Sequence, residues 1–278
     1  MINEIGTFNI SAATPVLKTG KICLFDADYI KYIATYMVDK NQKDLNGIRN
    51  FDEEKEVIYF LKNWIWNHVF SKIEDKIIFC FSGKSDITFR NHVSFTKKYK
   101  GKRNREPLYP NEHLDQYEVV RYIMDTYIVL FFDTMEADDV ICFLQDADTY
   151  IWSKDKDLKQ IPGFHYDFQT NKIYELTVKD AAFNLCYQLI CGDTTDNIPG
   201  IPNFGDVKAK KFLLEYEAGQ WLMRVLELYQ KQMGKLNGTD AFCENWMLIK
   251  LRLKRGEHFI TLHQRAFDLK QLIITQIT

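Results

Sequence analysis

The chain has 278 residues, 46% of them hydrophobic, so it is long enough for one large domain or two small ones around a substantial core. Its formal net charge of −2 at pH 7 excludes a protein that binds nucleic acid through an overall positive charge. Any nucleic-acid contact must therefore come from local basic patches.

Strands and helices are predicted to alternate through the first two thirds of the chain. Short apolar runs, each read as a buried strand, lie at Lys21–Phe25, Lys76–Phe81, Thr126–Phe132 and Thr149–Ser153. Apolar residues at helical spacing cover Glu53–Phe70 and Glu136–Gln145. This alternation predicts an α/β domain with a mainly parallel sheet. Residues 1–20 show no sustained periodicity and are predicted to be an irregular leader.

The last third of the chain changes character. Helical patterns lie at Lys179–Ile190, Asp206–Tyr216, Trp221–Met233 and Asp240–Leu253. Glycine and proline interrupt them. The sequence therefore predicts a helical region after the α/β part.

Acidic side chains are concentrated near the ends of predicted strands and helices. The groups are Asp26 with Asp28, Glu136 with Asp138 and Asp139, Asp155 with Asp157, and Asp193 with Asp196. The carboxyl ends of parallel strands form the ligand crevice of such a sheet, so acids placed just after strands converge there. Each group alone also has an ordinary explanation, because acids cap helices and form solvated turns. Together, the groups predict one acidic crevice.

Carboxylates gathered in one crevice repel one another unless cations neutralise them or their pKa values rise. Oxygen ligands with no histidine or thiol nearby favour Mg²⁺ or Mn²⁺ over zinc. Two such ions roughly 4 Å apart can activate a water and stabilise the leaving oxygen in phosphodiester hydrolysis. The prediction is therefore a site for two or more divalent ions.

Several motifs occur in the order and spacing of a known family. They are Asp26, Tyr99-Lys100-Gly101-Lys102-Arg103, Glu136-Ala137-Asp138-Asp139, Ser153-Lys154-Asp155-Lys156-Asp157, and the stretch Gly192-Asp193 through Asp196 and Gly200 to Gly205. From about Lys21 to about Leu214 the chain resembles the 5′-nuclease family. This family includes bacteriophage exonucleases, flap endonucleases and the 5′-nuclease domain of bacterial DNA polymerase I.

The resemblance implies a twisted, mostly parallel sheet with flanking helices, a helical arch over the site, and a C-terminal helix-turn-helix that grips duplex DNA. The implied boundaries are a nuclease core at 21–190 with a basic arch at about 84–125, and the helix-turn-helix with further helices at 191–278. The implied metal ligands are Asp26, Glu136, Asp138, Asp155 and Asp157, with Asp139, Asp193 and Asp196 completing the second metal site or its water shell. The family's helix-turn-helix loop also holds a monovalent cation such as K⁺.

One position departs from the family pattern. The family often has an aspartate just after its second strand, where this chain has Ser82. Asp86 is four positions away and does not replace it. The departure puts the details of metal occupancy in question, but not the existence of the site.

A short segment is strongly basic in an otherwise slightly acidic chain. Its basic residues are Lys97, Lys98, Lys100, Lys102, Arg103 and Arg105. A solvated helix end is the ordinary explanation, whereas a nuclease needs such a segment to hold phosphates beside an acidic pocket. Lys100 and Arg103, one helical turn apart, are expected to meet the scissile phosphate. Tyr99 either stacks on a base or packs in the core.

The loop Gly200–Gly205 is a second candidate contact with DNA. Its backbone amides lie close to a predicted helix start at Asp206, and Lys208, Lys210 and Lys211 follow. This arrangement suits one DNA backbone without reading of bases, although a plain turn remains possible.

The expected function is Mg²⁺-dependent 5′→3′ exonuclease and 5′-flap endonuclease action on DNA in replication, repair or phage genome processing. The expected partner is DNA with a free 5′ end, flap or single-strand junction, bound by a monomer. Two alternatives stay open: a non-catalytic DNA-binding relative, for which Ser82 is a hint, and an acidic-pocket ribonuclease. The scattered cysteines and the lack of a long apolar run predict a soluble protein of a reducing cytoplasm. The resemblance implies that this is the cytoplasm of a bacterium or of a phage-infected host.

Overall fold

The computed structural model describes residues 18–30, 63, 67, 69, 71–83, 88–101, 127–132 and 134–251. Its main sheet contains β1 (Ile22–Asp26), β2 (Ile77–Ser82), β3 (Ile128–Phe132), β4 (Thr149–Trp152), β5 (Gly163–Asp167) and β6 (Lys172–Leu176). Their order across the sheet is β3-β2-β1-β4-β5-β6. All neighbours are parallel except β5 and β6, which are antiparallel. The predicted mainly parallel α/β class is confirmed.

The central strands are apolar throughout because both faces of the sheet are buried. On one face, the ring of Phe25 lies 5.2 Å from that of Phe79 and 4.7 Å from that of Trp152, centroid to centroid. On the other face, Leu24 belongs to a cluster with Val140 of the helix Ala137–Leu144. Successive residues of β1 therefore serve two separate cores, as the alternation of side chains along a strand requires.

The helices are α1 (Phe89–Val93), α2 (Ala137–Leu144), α3 (Val178–Cys191), α4 (Asp206–Leu214), α5 (Trp221–Met233) and α6 (Lys235–Ile249). A capping box formed by Thr177 and Asp180 starts α3. Between α3 and α4 lie two very short antiparallel strands, β7 (Gly192–Asp193) and β8 (Ile198–Pro199). The helices α3 to α6 share a third hydrophobic core around Leu189, Val225 and Phe242.

Two parts of the sequence prediction need correction. The strands β5 and β6 were not predicted, because β6 is a half-polar edge strand whose residues lie largely at the surface. The last helix begins at Lys235 instead of Asp240 and ends at Ile249 instead of Leu253. Gly238 does not interrupt this helix, because it is buried where α6 contacts the backbone of Tyr229.

Some predictions lie outside the described residues. These are the leader up to residue 17, almost all of the helix Glu53–Phe70, most of the arch region at 84–125, and everything after Leu251. Among the helices that the structure describes, none is long and apolar enough to cross a membrane.

Candidate metal centre

The acidic residues meet at the point where the strand order reverses. The chain places β2 and β3 on one side of β1, and then β4 and β5 on its other side. The carboxyl ends of β1 and β4 are therefore adjacent at the crevice that such a reversal opens. Asp26 is the last residue of β1, and Asp155 and Asp157 follow β4 directly.

Three carboxylates form a compact group there. Asp138, Asp155 and Asp157 each offer an oxygen that lies within 4.8 Å of the others. Asp138 is in the first turn of α2, where the helix dipole favours negative charge. The Ser153 hydroxyl ties the loop after β4 to β1, because it donates to Asp26 Oδ2 (2.8 Å). Within the loop, the same hydroxyl accepts from the Asp155 N–H (3.0 Å).

The electrostatics of this group show mutual repulsion. Burial, then the neighbouring Asp28 and Asp155, raise the pKa of Asp26 to about 7. Burial, then Asp155 and Asp193, raise the pKa of Asp157 to about 7. For Asp138, burial and then Asp26 and Asp155 raise the pKa well above its ordinary value. These carboxylates are therefore hard to ionise together without a cation.

The donor set fits a hard divalent ion. All the ligand atoms are carboxylate oxygens, which Mg²⁺ and Mn²⁺ prefer. Asp26 is only 8% exposed, and its Oδ1 atom is buried with no hydrogen-bond partner among the described residues. A buried polar atom without a partner is unfavourable, and a bound cation would satisfy it.

A second acidic group borders the same pocket. Asp193 Oδ1 accepts from the N–H groups of Thr195 (2.7 Å) and Asp196 (3.2 Å), and Asp193 Oδ2 lies 2.8 Å from Lys156 Nζ. Burial acts to raise the pKa of Asp193, but Lys156 and the backbone donors hold it below its ordinary value. The acids that line the pocket are Glu136, Asp138, Asp157, Asp193 and Asp196.

Arg90 binds acidic residues at the buried end of the site, and no sequence pattern predicted it. It is 2% exposed. Its guanidinium donates to Glu136 Oε2 (2.7 Å), to both oxygens of Asp139 (2.5 and 3.0 Å) and to the Leu248 carbonyl (2.9 Å). Asp139 itself is fully buried. Both of its oxygens bind Arg90, and its expected place in the second metal site or its water shell stays a prediction.

Glu136 is held by cationic and phenolic donors. Its Oε2 accepts from Arg90 and from the Tyr99 hydroxyl (3.0 Å), and its Oε1 binds Lys100. Burial acts to raise the pKa of Glu136, but Arg90 and Lys100 hold it below its ordinary value. Glu136 therefore stays ionised at the edge of the pocket.

For Tyr99 the structure decides between the two expectations, and for Lys100 it corrects one. Tyr99 is 5% exposed, and its hydroxyl also donates to Asp196 Oδ2 (2.8 Å), so it packs in the core and is not free to stack on a base. Lys100 lies in a turn with φ 55° and not in a helix, so the expected helical spacing to Arg103 is wrong at this end. Arg103 lies outside the described residues, as do Lys102 and Arg105.

The remaining basic residues are at the surface. Lys97 and Lys98 are exposed, and the Lys98 carbonyl accepts from Asn197 Nδ2 (2.9 Å), which ties this segment to the loop between β7 and β8. The lysines of α4 are also exposed: Lys208, whose Nζ donates to the Asn203 carbonyl, Lys210, which pairs with Asp206, and Lys211.

The two loop glycines have different surroundings. A Cβ at Gly200 would lie 2.3 Å from the Cys191 backbone, so close approach to the end of α3 requires glycine there. Gly205 is the N-cap residue of α4, and a Cβ there would meet nothing within 4 Å. Gly205 thus leaves open space at the start of α4.

The fold and the pocket together define an α/β protein with a candidate divalent-metal centre at the switch point of its sheet. Residues 21–182, more than half of the chain, match the model of the 5′-3′ exonuclease N-terminal resolvase-like domain. The chain belongs to this 5′-3′ exonuclease family.

Curated relatives agree with the family model. A 5′-3′ exonuclease of Bacillus subtilis (strain 168) is 25% identical over 243 residues, covering 80% of this chain and 77% of the relative. The flap endonuclease Xni of Shewanella amazonensis is 29% identical over 152 residues, 49% of this chain and 58% of the relative. DNA polymerase I of Bacillus subtilis is 28% identical over 169 residues, and the match spans only 18% of that much longer protein.

Solved structures share the fold. A bacteriophage T5 flap endonuclease in a complex with DNA and metal ions superposes with a TM-score of 0.57 at 16% identity, covering 92% of this chain and 98% of that one. The bacteriophage T5 5′-exonuclease with bound zinc gives a TM-score of 0.54 at 17% identity, with 92% and 97% covered. At this identity the likeness concerns the fold alone.

Proposed function

We propose that the chain is a 5′-nuclease that hydrolyses DNA phosphodiesters with divalent metal ions, as a 5′→3′ exonuclease and at 5′ flaps. The observation that carries the proposal is the group Asp138, Asp155 and Asp157, whose oxygens lie within 4.8 Å of one another. The buried, unpartnered Oδ1 atom of Asp26 supports it. The similarity to a 5′-3′ exonuclease and to a flap endonuclease supports this activity.

The residues divide into two metal-binding groups. Asp26, Glu136, Asp138, Asp155 and Asp157 would hold metal, with the oxygens of Asp138, Asp155 and Asp157 close enough to share one ion. Asp139, Asp193 and Asp196 would complete a second site or its water shell. When bound, divalent ions supply an activated water and neutralise charge on the phosphate. Glu136 stays ionised and fixes the ammonium group of Lys100 at the rim of the pocket.

Lys100 and Arg103 are proposed to bind the scissile phosphate and offset its growing negative charge. Tyr99 acts as a positioning residue, because its hydroxyl joins Glu136 to Asp196 across the pocket.

DNA would be held by its backbone. The exposed Lys97 and Lys98 stand beside the loop between β7 and β8, to which Asn197 ties them. Lys102 and Arg105 are proposed to extend this basic segment. A second contact would be the loop Gly200–Gly205 with Lys208, Lys210 and Lys211 of α4. Phosphate contacts fix position without reading sequence, so we expect preference for a DNA structure and little preference for a base sequence.

The finer features follow the same proposal. These are Mg²⁺ or Mn²⁺ as the ions, K⁺ at the helix-turn-helix loop, a monomer, DNA with a 5′ end or flap as substrate, and a role in DNA replication, repair or phage genome processing in the cytoplasm. The bacteriophage T5 flap endonuclease in a complex with DNA and metal ions is consistent with DNA and a divalent ion as partners.

The test is cleavage of 5′-labelled flap, nicked and blunt DNA in Mg²⁺. The wild type should release short 5′ products, and Asp155→Asn should abolish cleavage but still bind DNA in Ca²⁺. The control is Asp148→Asn, an exposed acid just before β4 at the opposite end of the sheet, which should cleave normally.

Two outcomes would overturn the proposal. A wild type that binds flap DNA but does not cleave it in Mg²⁺ is a non-catalytic DNA-binding relative. A wild type that cuts RNA and leaves flapped DNA intact is an acidic-pocket ribonuclease.

A further inference from the structure

The end of β2 carries a serine, yet a carboxylate stands beside it. Ser82 is the last residue of β2, next to β1 in the sheet. Its N–H donates to Asp28 Oδ1 (3.1 Å), and its hydroxyl donates to Asp28 Oδ2. Asp28 comes from the turn after β1, two residues beyond Asp26. The fold thus brings a negative charge to the end of β2 from a different strand.

The hydroxyl of Ser82 is fixed in the orientation that holds Asp28. Its oxygen accepts a hydrogen bond from the N–H of Ala137 (2.8 Å), the first residue of α2. Its proton is therefore directed at the Asp28 carboxylate. Since Asp138 is the next residue of α2, Ser82 links Asp28 to the helix that carries a proposed ligand.

Asp28 also lies beside the metal-binding group. The Ser82 hydroxyl that holds its carboxylate also binds the first N–H of α2, next to Asp138. An independent observation points to a cation at this place: Asp26 is more than nine-tenths buried, and its Oδ1 has no hydrogen-bond partner within the described part of the chain.

We propose that Asp28 is a carboxylate ligand of the ion bound by Asp26 and Asp138, and that Ser82 is its positioning residue. Asp28 supplies the charge that an aspartate at position 82 would otherwise provide. This inference rests on the proposed function, because it needs a divalent ion in the pocket. The competing interpretation is that Asp28 only closes the turn after β1.

Binding of Mn²⁺ alone, without DNA, separates these interpretations. Free Mn²⁺ is measured by electron paramagnetic resonance during titration of the full chain, after treatment with EDTA and dialysis. Asp28→Asn should weaken the affinity of the tighter site by about tenfold or more, as loss of a ligand or its support does. Asp148→Asn should bind as the wild type does. Ser82→Ala should fall between them, because it keeps the charge of Asp28 and removes one donor that positions it.

A double variant that exchanges the carboxyl and hydroxyl groups between positions 28 and 82 distinguishes loss of a ligand from loss of structure. Asp28→Thr combined with Ser82→Asp returns the carboxylate to β2, and it should bind Mn²⁺ more tightly than Asp28→Thr alone. Thermal melting in EDTA shows whether each variant is folded.

Three results would overturn the inference. If Asp28→Asn binds Mn²⁺ like the wild type, Asp28 is no ligand, while the proposed function still stands. If the exchange gives no recovery over Asp28→Thr, a charge at the end of β2 does not contribute to the site. If the wild type binds no Mn²⁺, this inference and the proposed function fail together.

Discussion

The buried guanidinium of Arg90 offers the sharpest test of how the site is held together. In Arg90→Met the aliphatic part of the side chain remains, but its hydrogen bonds to Glu136, Asp139 and Leu248 are lost. The two carboxylates stay buried, and Asp139 keeps no access to water. Breaking a buried ion pair by removing one partner costs about 3–5 kcal/mol. This is a large fraction of an unfolding free energy of about 5–15 kcal/mol.

The assay is urea and thermal unfolding at pH 7.5 in EDTA. A loss of about 3–5 kcal/mol corresponds to a melting temperature lower by about 6–20 °C for a chain of this size. The matched control is Arg224→Met, because Arg224 pairs with Glu227 at the surface, where such pairs contribute about 0–1 kcal/mol. Adding Asp139→Asn to Arg90→Met should recover part of the loss, since it removes a buried charge. If Arg90→Met is no less stable than Arg224→Met, the buried network does not hold the site together.

Three further predictions concern charge, chemistry and packing. The pKa of Asp26 in the folded protein is about 7 against an ordinary 3.8, so its ionisation destabilises the metal-free protein progressively above pH 4 and fully above pH 7. Asp26→Asn should therefore raise metal-free stability at pH 8 by up to about 4 kcal/mol and change it little near pH 4, measured by urea unfolding; equal effects at both pH values would contradict this. Lys100→Met should lower kcat for flap cleavage by about 10²–10³-fold and leave Mn²⁺ binding in place, whereas an unchanged kcat removes Lys100 from the mechanism. Gly238→Ala should lower the free energy of unfolding by about 1–3 kcal/mol in thermal melts, because the added Cβ would lie 2.4 Å from the Tyr229 carbonyl oxygen. Gly219→Ala serves as the control, because a Cβ there would meet nothing within 4 Å.

Much of the fold follows from local sequence. The four predicted strands are present because each is a short run of apolar residues, and Trp221–Met233 matches its predicted helix at both ends. The edge strand β6 could not be predicted in this way, since its pairing with β5 and not its own pattern holds it in place. The early start of α6 was missed for a similar reason, because Gly238 lies inside this helix, where it contacts the backbone of another helix at Tyr229.

The candidate site was predictable only in part. Acids that end strands can be located from sequence, and the structure brings Asp138, Asp155 and Asp157 together. Neighbouring residues on a helix point about 100° apart, so Asp138 faces the pocket while Asp139 faces Arg90. The partners of Arg90 are 46 to 158 residues away in sequence, and no local pattern reveals such contacts.

The central claim is that the fold gathers these carboxylates to bind divalent ions. Crystals of the wild-type protein soaked in Mn²⁺ and measured at the manganese absorption edge test it directly, because anomalous scattering locates each ion. The account predicts a peak coordinated by oxygens of Asp138 and Asp155, within reach of Asp26 Oδ1. Crystals with full Mn²⁺ access and no anomalous peak in this pocket would contradict it.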